Sequence, residues 1–337
     1  MGNNKEIWFQ LFASCMVVKG ASMSIISDIE RNTFYDIPNE YLPILTEVQQ
    51  MSIESFKSRS KFKPKMIDKF VKQFIDQEVG FFTSDIESFP KIELIWKSPY
   101  QITNAIIQIG NDNNYNVNDC IRQLEHLGCQ AFQIRVESNL KIELLQKYLD
   151  SFKGTRVKYV ELLIPFENND LASLERLLKR ETRLRFIKIY GSNEDRIIEN
   201  QDIYLNRKIL FLKKDIRTSS KEIISKDRLC NNMEVFLESQ KHNVGLNRKI
   251  SINMDGFIMN YIDHKEHFGN IRVDRVLDII EKQEFQKKWF ISNDKIEKCK
   301  DCQYRAACVS NSDIEVIGDL FYKKNECSFN PFTNEWV

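Results

Sequence analysis

Four cysteines near the C-terminal end are the residues whose type and spacing best suit chemistry. Cys299, Cys302, Cys308 and Cys327 follow the pattern C-x2-C-x5-C-x18-C and make up half of the eight cysteines of the chain. A C-x-x-C turn lets two sulfur atoms face one point, and the more distant cysteines close the site. The spacing therefore predicts a metal centre, which is either an iron–sulfur cluster or a structural zinc ion.

Unligated thiols or disulfides are the remaining interpretation of this pattern. Residues 1–30 contain no basic region followed by an apolar run and a small-residue cleavage site. We therefore expect a cytoplasmic protein, in which thiols stay reduced. The other cysteines, Cys15, Cys120, Cys129 and Cys230, lie among apolar neighbours and are expected to be small buried hydrophobic side chains.

The charge balance limits the partners of the protein. Its 337 residues carry 49 basic and 48 acidic side chains, for a net charge of +1. This balance favours neither nucleic acid nor an anionic membrane surface as a partner. No apolar run approaches the roughly 20 residues that cross a bilayer. Glycine is also too sparse for a phosphate-binding or dinucleotide-binding loop, and no Ser/His/Asp set is visible.

The N-terminal segment has the element order of a winged helix. Two strands pair around a turn at Gly20, because glycine tolerates the backbone conformation of a tight turn. Apolar residues at helical spacing follow, and Gly80 ends the last helix. The predicted elements are the strands Leu11–Val18, Ser22–Asp28 and Thr33–Ile37, a helix beginning near Asn39, the helices Ser52–Phe56 and Pro64–Gln77, and a returning strand at Phe81 and Phe82.

The middle of the chain alternates strands and helices, which predicts a parallel sheet that is open or closed as a partial barrel. The predicted strands are Ala105–Gly110, Ala131–Val136, Val157–Ile164, Leu184–Tyr190 and Lys208–Leu212; the helices are Val117–Leu127, Lys141–Phe152 and Leu171–Arg180. Ligands of such sheets bind at the carboxyl ends of the strands. Those ends are Asn111–Asn116, Glu137–Asn139, Pro165–Asp170 and Gly191–Glu194. Their Asn and Asp residues suit ordinary turns as well as a site.

The last segment begins with a hairpin signal and ends with the four cysteines. The strands Lys249–Asn253 and Phe257–Tyr261 flank a turn that contains Gly256. His264 and His267 follow, three residues apart, and could contribute to a metal site. Hydrogen-bonded or solvated histidines are the alternative. Together, the three segments predict an α/β protein.

The last segment also resembles the SPASM domain of radical S-adenosylmethionine peptide maturases. The matching stretches are Ser251-Ile-Asn-Met-Asp-Gly-Phe257, His267-Phe-Gly-Asn-Ile271, Glu284-Phe-Gln-Lys-Lys-Trp289, Cys299-Lys-Asp-Cys-Gln-Tyr-Arg-Ala-Ala-Cys308 and Cys327-Ser-Phe-Asn-Pro331. Their order is similar to that of the SPASM-domain peptide maturase of grasp-with-spasm systems. The resemblance is specific over residues 247–337 and weaker over the rest. It implies a winged-helix-like peptide-recognition element (1–88), a partial radical-SAM-type (β/α) barrel (89–246) and a SPASM-like domain (247–337).

Two departures from the family pattern change what the resemblance implies. Radical SAM enzymes carry C-x3-C-x2-C after the first barrel strand, but the corresponding loop, Gly110–Asn116, has no cysteine, and the motif occurs nowhere in the chain. Cleavage of S-adenosylmethionine therefore has no visible apparatus, and whether the chain is an enzyme stays open. Fuller SPASM domains also bind two auxiliary clusters. Here Tyr261 and the stretch Ser310–Ser312 occupy the neighbourhoods of ligands of the other cluster, so Cys299, Cys302, Cys308 and Cys327 resemble the ligands of one 4Fe-4S cluster.

The resemblance implies maturation of a ribosomally synthesised peptide. The chain would bind the leader of the precursor and present the peptide to a partner ATP-grasp ligase, and the cluster would be mainly structural. An extended leader can add to a sheet edge as a further strand, for which the candidate residues are Ser24, Ile26, Asp28, Phe34 and Ile67. A structural or dimerisation role of the same segment is an alternative. The rival functions are a redox-active iron–sulfur enzyme that modifies the peptide and a zinc-stapled interaction adaptor.

Overall fold

The computed structural model describes residues 6–111, 113–167, 170–199, 206–217 and 223–337. The chain is a mixed α/β protein that divides into two compact units. The cysteine unit comprises Met1–Lys97, Ile223–Val244 and Ile291–Val337, and the sheet unit comprises Ser98–Glu222 and Gly245–Phe290. Both units are therefore built from segments that are distant in sequence.

The strands and helices are numbered in chain order. The strands are β1 (Trp8–Leu11), β2 (Cys15–Val18), β3 (Met23–Asp28), β4 (Thr33–Pro38), β5 (Gly80–Thr83), β6 (Asn104–Ile109), β7 (Ala131–Val136), β8 (Tyr159–Pro165), β9 (Leu184–Tyr190), β10 (Arg196–Glu199), β11 (Lys208–Leu212), β12 (Lys249–Ile252), β13 (Phe257–Met259), β14 (Gly269–Asn270), β15 (Ile314–Ile317), β16 (Leu320–Lys323), β17 (Phe329–Asn330) and β18 (Glu335–Trp336). The helices are α1 (Leu42–Val48), α2 (Ile53–Arg59), α3 (Pro64–Asp76), α4 (Val117–His126), α5 (Ile142–Asp150), α6 (Leu171–Arg180), α7 (Met233–Ser239), α8 (Val276–Ile280) and α9 (Gln283–Gln286). Single 3-10 turns lie at Lys226–Arg228, Lys287–Phe290, Asn293–Lys295 and Cys299–Asp301.

The N-terminal part of the cysteine unit contains the expected sheet and helices. Strands β2, β3 and β4 form an antiparallel sheet with β3 in the centre, and β1 pairs separately with β5. Helices α1, α2 and α3 bury their apolar faces in one core with residues of this sheet, as their i, i+3, i+4 spacing predicts. The buried core residues include Ile26, Ile37, Leu45, Phe56, Ile67 and Phe74.

The single strand predicted over Leu11–Val18 is wrong. A turn after Leu11, in which the Cys15 amide donates to the Phe12 carbonyl (2.9 Å), breaks it into β1 and β2. Only β2 continues into the predicted hairpin with β3, whereas β1 pairs with β5. The apolar run continues across this turn with only Ser14 interrupting it, so the pattern alone does not reveal the break.

A nine-stranded sheet organises the second unit, in the order β10-β11-β9-β8-β7-β6-β12-β13-β14. Strands β11, β9, β8, β7, β6 and β12 are parallel to their neighbours in this run, and β10, β13 and β14 are antiparallel additions. The βα alternation predicted the parallel strands, because such connections bring successive strands side by side. Alternate side chains of the strands, such as Phe132 and Ile134, are buried in the core with residues of α4, α5 and α6.

The hairpin around Gly256 belongs to this sheet. Strand β12 pairs in parallel with β6 and antiparallel with β13, so the hairpin extends the parallel sheet. The four cysteines at 299–327 lie in the other unit. The two compact units thus group the chain differently from the consecutive segments 1–88, 89–246 and 247–337. The assignment of these segments as recognition, barrel and cluster domains stays a prediction.

Candidate functional site

Local backbone structure positions the four cysteines that the sequence singles out. The Cys302 amide donates to the Cys299 carbonyl (3.0 Å), which closes the C-x-x-C turn. Lys298 enters this turn with a positive φ of 66°. Strand-like bridges hold the other two cysteines, Cys308 against Leu229 and Cys327 against Ile224. The segment beginning at Ile223 therefore holds two of the four candidate ligands.

The four cysteines lie close enough together to change one another's pKa. Burial raises the pKa of Cys299, and the charges of Cys308 and Cys327 raise it further. Burial also raises the pKa of Cys302 to about 12, with added contributions from the other three cysteines. All four are free thiols in the structure, so the disulfide interpretation gains no support. The sequence pattern thus predicted a set of residues that are close in space.

Lys323, which the sequence pattern did not single out, contacts one of these thiols. The Nζ atom of Lys323, at the end of β16, donates to Cys308 Sγ over 3.9 Å. The side chain is partly exposed, but its ammonium group is buried. Burial lowers the pKa of Lys323, and the charges of the four cysteines outweigh that effect, so the pKa is raised. Its position four residues before Cys327 does not by itself predict this contact, because lysine is common on surface hairpins.

The donor set consists of four thiols, and thiolates ligate both zinc and iron–sulfur centres. A tetrahedral zinc needs all its ligands within bonding distance of one point. Among the residues that the structure describes, no group of three or more His, Cys, Asp or Glu side chains is placed to hold one metal ion. The Nζ atom of Lys323 contacts one of the four thiols, Cys308 Sγ, at 3.9 Å.

The cysteine segment packs onto the sheet formed by β2, β3 and β4 within the same unit. The Ala21 amide, in the turn between β2 and β3, donates to the Asp301 carbonyl (2.8 Å). Arg305 donates from Nη1 to the Lys19 carbonyl (2.5 Å). The Tyr304 ring, between the second and third cysteines, lies 5.2 Å from the Phe34 ring of β4. The predicted peptide-binding and cluster-binding parts are therefore in direct contact.

The candidate peptide-binding residues have different environments. The sequence offers three candidate surfaces for a leader: the strands Ser22–Asp28 and Thr33–Ile37 and the helix Pro64–Gln77. Ser24, Ile26 and Asp28 lie on the central strand β3, whose two edges are both paired, so the first candidate has no free edge. Ile26 and Ile67 are buried in the core. Ser24 Oγ is 2.6 Å from Asn39 Oδ1, and the Asp28 carboxylate accepts from the amides of Glu30 and Arg31. Phe34 is the one partly exposed member of the predicted set.

Strand β4, which covers the second candidate surface Thr33–Ile37, has an unpaired edge in the described part of the chain. It pairs with β3 on one side, and no other strand in the described residues pairs with it. Asn231 lies at its first residue, where the side-chain amide donates to the carbonyls of Thr33 (2.9 Å) and Asp28 (3.0 Å). Asn231 was also missed from the sequence, because no local pattern links it to a strand almost 200 residues away.

The loops at the carboxyl ends of the parallel strands use their polar side chains to hold their own backbone. The Asn113 side chain accepts from the Gly110 amide (2.6 Å), and Ser138 Oγ accepts from the Asn111 amide (3.0 Å). Gln108 Nε2 donates to the carboxylate of Glu137 (2.8 Å), whose pKa is raised by burial. These contacts fit ordinary loop chemistry. Asp112, Asn168 and Asn169, which belong to the predicted strand-end loops, lie outside the described residues.

The remaining candidate ligands have other surroundings. Cys15, Cys120 and Cys129 are buried in the apolar cores, as predicted, whereas Cys230 is partly exposed and accepts from the Asn232 side chain. His267 stacks on the Phe257 ring at 4.4 Å, and His264 lies 5.7 Å from the Tyr261 ring. None of the helices found in the described ranges has the length and apolar character to span a membrane.

Comparisons with known proteins give distant structural likenesses. No family model and no curated protein matches the chain. Among solved structures, Streptococcus suis SuiB has 13% identity and a TM-score of 0.31, over 90% of this chain and 94% of that chain. SuiB bound to S-adenosylmethionine gives 11% and 0.27, over 90% and 93%. SuiB bound to the precursor peptide SuiA gives 10% and 0.27, over 90% and 94%. Likeness at this level carries no argument about function.

Proposed function

We propose that this chain takes part in the maturation of a ribosomally synthesised peptide by binding the leader of the precursor. The observation that carries the proposal is the unpaired edge of β4 in a winged-helix-like sheet. An extended peptide adds to such an edge through main-chain hydrogen bonds, and nearby side chains select its sequence. The edge carries Phe34 and Tyr35, which are half-buried, and the exposed Asp36. Pro38 ends the strand, because proline has no N–H to donate.

The core peptide would then be presented to an ATP-grasp ligase. This partner, and the side-chain ester or amide bond that it would form, rest on the sequence resemblance to grasp-with-spasm maturases. Binding and presentation need no cleavage of S-adenosylmethionine, in agreement with a Gly110–Asn116 loop that has no cysteine. The proposed function is therefore that of an accessory protein for the ligase.

One 4Fe-4S cluster would be held by Cys299, Cys302, Cys308 and Cys327. Bound there, it would supply a covalent cross-link between chain segments and add its binding free energy to folding. The mutual electrostatic effects of the four cysteines, which place them near one another, support this assignment. The cross-linked segment includes Tyr304, which contacts Phe34 at the start of the proposed leader site. We therefore assign the cluster a mainly structural role.

Leader binding is tested with proline variants of β4. Successive N–H groups of a strand point to opposite edges, so either Tyr35→Pro or Asp36→Pro removes an outward donor. The resemblance to grasp-with-spasm systems implies a precursor peptide gene beside that of this chain, so the probe is a labelled synthetic leader of that peptide, measured by fluorescence anisotropy. We expect one of the two variants to fold and to bind about tenfold more weakly, a loss of about 1.4 kcal/mol.

Val316→Pro is the matched control for this test, because β15 also pairs on one side only. It should bind the leader like the wild type. If both β4 variants fold, as judged by circular dichroism, and both bind with unchanged affinity, β4 is not the leader site. If the wild type binds no leader, the proposed function fails.

The cofactor is tested by metal and sulfide analysis of anaerobically purified protein. We expect about four iron and four sulfide per chain, lost in Cys302→Ala and retained in Cys230→Ala. About one zinc without sulfide would instead indicate the zinc-stapled adaptor. About eight iron would indicate a second cluster and reopen the case for a redox enzyme.

A further inference from the structure

Lys323 has a position that its role in the fold does not explain. It is the last residue of β16, in the hairpin between the third and fourth cysteines of the motif. Lysines at such a position normally extend their ammonium group into water, because removing a charge from water is costly. Here the ammonium is buried and contacts Cys308 Sγ at 3.9 Å.

The ion pairs described near Lys323 join other residues. Among the described residues, the ion pairs of the neighbouring part of the unit join Lys324 to Asp313 and Lys300 to Glu297, and none includes Lys323. The groups that act on the Lys323 ammonium are instead the four cysteines. The hydrogen-bond partner described for the Lys323 ammonium is therefore a candidate ligand sulfur, Cys308 Sγ, at 3.9 Å.

We propose that Lys323 is a positioning residue that sets the charge and the reduction potential of the four-cysteine centre. This inference rests on the 4Fe-4S cluster of the proposed function. The negative charge of four thiolates exceeds the positive charge of the iron–sulfide core, so the centre is anionic and becomes more so when it accepts an electron. A nearby buried cation stabilises the reduced form more than the oxidised form, and a donated hydrogen bond to a ligating sulfur acts in the same direction.

The exposed lysine of the same site provides a comparison within the chain. Lys298 is exposed and its Nζ donates to the Cys327 carbonyl (3.4 Å). Its positive charge lowers the pKa of Cys299, but by less than the charge of Lys323 does. Water screens an exposed charge. Replacing either lysine with methionine therefore removes one positive charge near the same cysteines. We expect the smaller effect from the exposed Lys298.

The test is the reduction potential of the cluster in Lys323→Met, Lys298→Met and wild-type protein, reconstituted anaerobically with iron and sulfide. The potential is followed by visible absorption and by electron paramagnetic resonance, without peptide or ligase. We expect Lys323→Met to weaken reduction at least tenfold, a potential lower by about 59 mV for a one-electron couple. Lys298→Met should shift the reduction potential by less than half as much.

Equal potentials in Lys323→Met and wild-type protein would overturn the proposal. If Lys323→Met binds no cluster, Lys323→Arg decides, because it keeps the charge. A cluster restored in Lys323→Arg supports a charge role, and failure of both variants to bind it overturns that role in favour of packing. A wild-type protein that takes zinc and no cluster also overturns it. Since no peptide is present, a lost leader interaction would show failure of the proposed function separately.

Discussion

At the scale of single residues, Tyr304 joins the two candidate sites. Its ring lies 5.2 Å from Phe34 on the β4 edge, 5.1 Å from Phe329 and 5.8 Å from Trp336. It also lies between Cys302 and Cys308 in sequence. A side chain in this position makes the geometry of the leader site depend on the cysteine segment.

We predict that Tyr304→Ala lowers both stability and leader affinity. Loss of a half-buried ring should reduce the free energy of unfolding by about 2 kcal/mol, below the 3–5 kcal/mol typical of fully buried aromatic side chains. Tyr304→Phe keeps the ring contacts and is the control. Chemical denaturation gives the stability and anisotropy the affinity. An alanine variant as stable as the phenylalanine variant would contradict the joining role.

Cys15 makes the stability of the folded protein depend on pH above neutrality. Burial is the main reason that its pKa rises from 9.0 to about 12, and the charge of Asp28 adds to this. The folded state therefore favours the neutral thiol. The resulting stabilisation is fully present below pH 9.0, the unfolded value, and is lost as pH rises toward 12.

We predict that the urea midpoint of the wild type falls over this alkaline window and that Cys15→Ala reduces the fall. The measurement is a series of urea titrations at fixed ionic strength, and Cys230→Ala, at a partly exposed cysteine, is the control. Parallel midpoint-versus-pH curves for the wild type and Cys15→Ala would show that this thiol does not titrate with unfolding.

At the scale of elements, the turn between β2 and β3 connects the winged-helix-like sheet to the cysteine loop. A Cβ atom at Gly20 would lie 2.3 Å from the Met23 carbonyl oxygen and 2.8 Å from Gln303 Oε1. Gln303 is fully buried and directly follows Cys302. Glycine at this position therefore permits the close approach of the two elements.

We predict that Gly20→Ala lowers the free energy of unfolding by about 1–3 kcal/mol, because the added methyl group forces the turn away from the loop. Ala21→Ser, at the exposed neighbouring position, should change it by less than about 0.5 kcal/mol. Thermal or denaturant unfolding measures both. A Gly20→Ala variant with wild-type stability and wild-type iron content would show that the two elements adapt without cost.

At the scale of the whole molecule, the two units should respond differently to loss of the metal. The four cysteines lie in the cysteine unit, and the core of the sheet unit is formed by its own strands and helices. The proposed metal centre would add its binding free energy only to the part of the chain that it cross-links. Stability therefore need not be uniform along the chain.

We predict that metal-free protein exchanges amide hydrogens faster in residues 223–244 and 291–337 and in β3 and β4. The amides of β6, β7, β8 and β12 should be unchanged. Hydrogen–deuterium exchange with mass spectrometry compares the metal-free and reconstituted forms, and the Cys302→Ala variant should match the metal-free form. Uniformly faster exchange along the whole chain would show that the metal stabilises both units together.

Local patterns predicted much of the fold, and they singled out four cysteines whose role as a site stays a prediction. The strand Ala131–Val136 and the helix Leu171–Arg180 lie where predicted, because apolar periodicity and flanking caps are short-range signals. The spacing of Cys299, Cys302 and Cys308 also predicted residues that gather. The split between β1 and β2 was missed, because a turn without glycine or proline leaves the apolar pattern intact.

The sequence by itself determined the element types, the parallel order of the sheet and the identity of the four cysteines, since each depends on neighbouring residues. Tertiary structure alone decided that β3 is central and that β4 carries the open edge, because strand order depends on pairing over long distances. It also decided that Lys323 turns its ammonium group toward the thiols. The direction of that side chain follows from packing around the site, which no local pattern encodes.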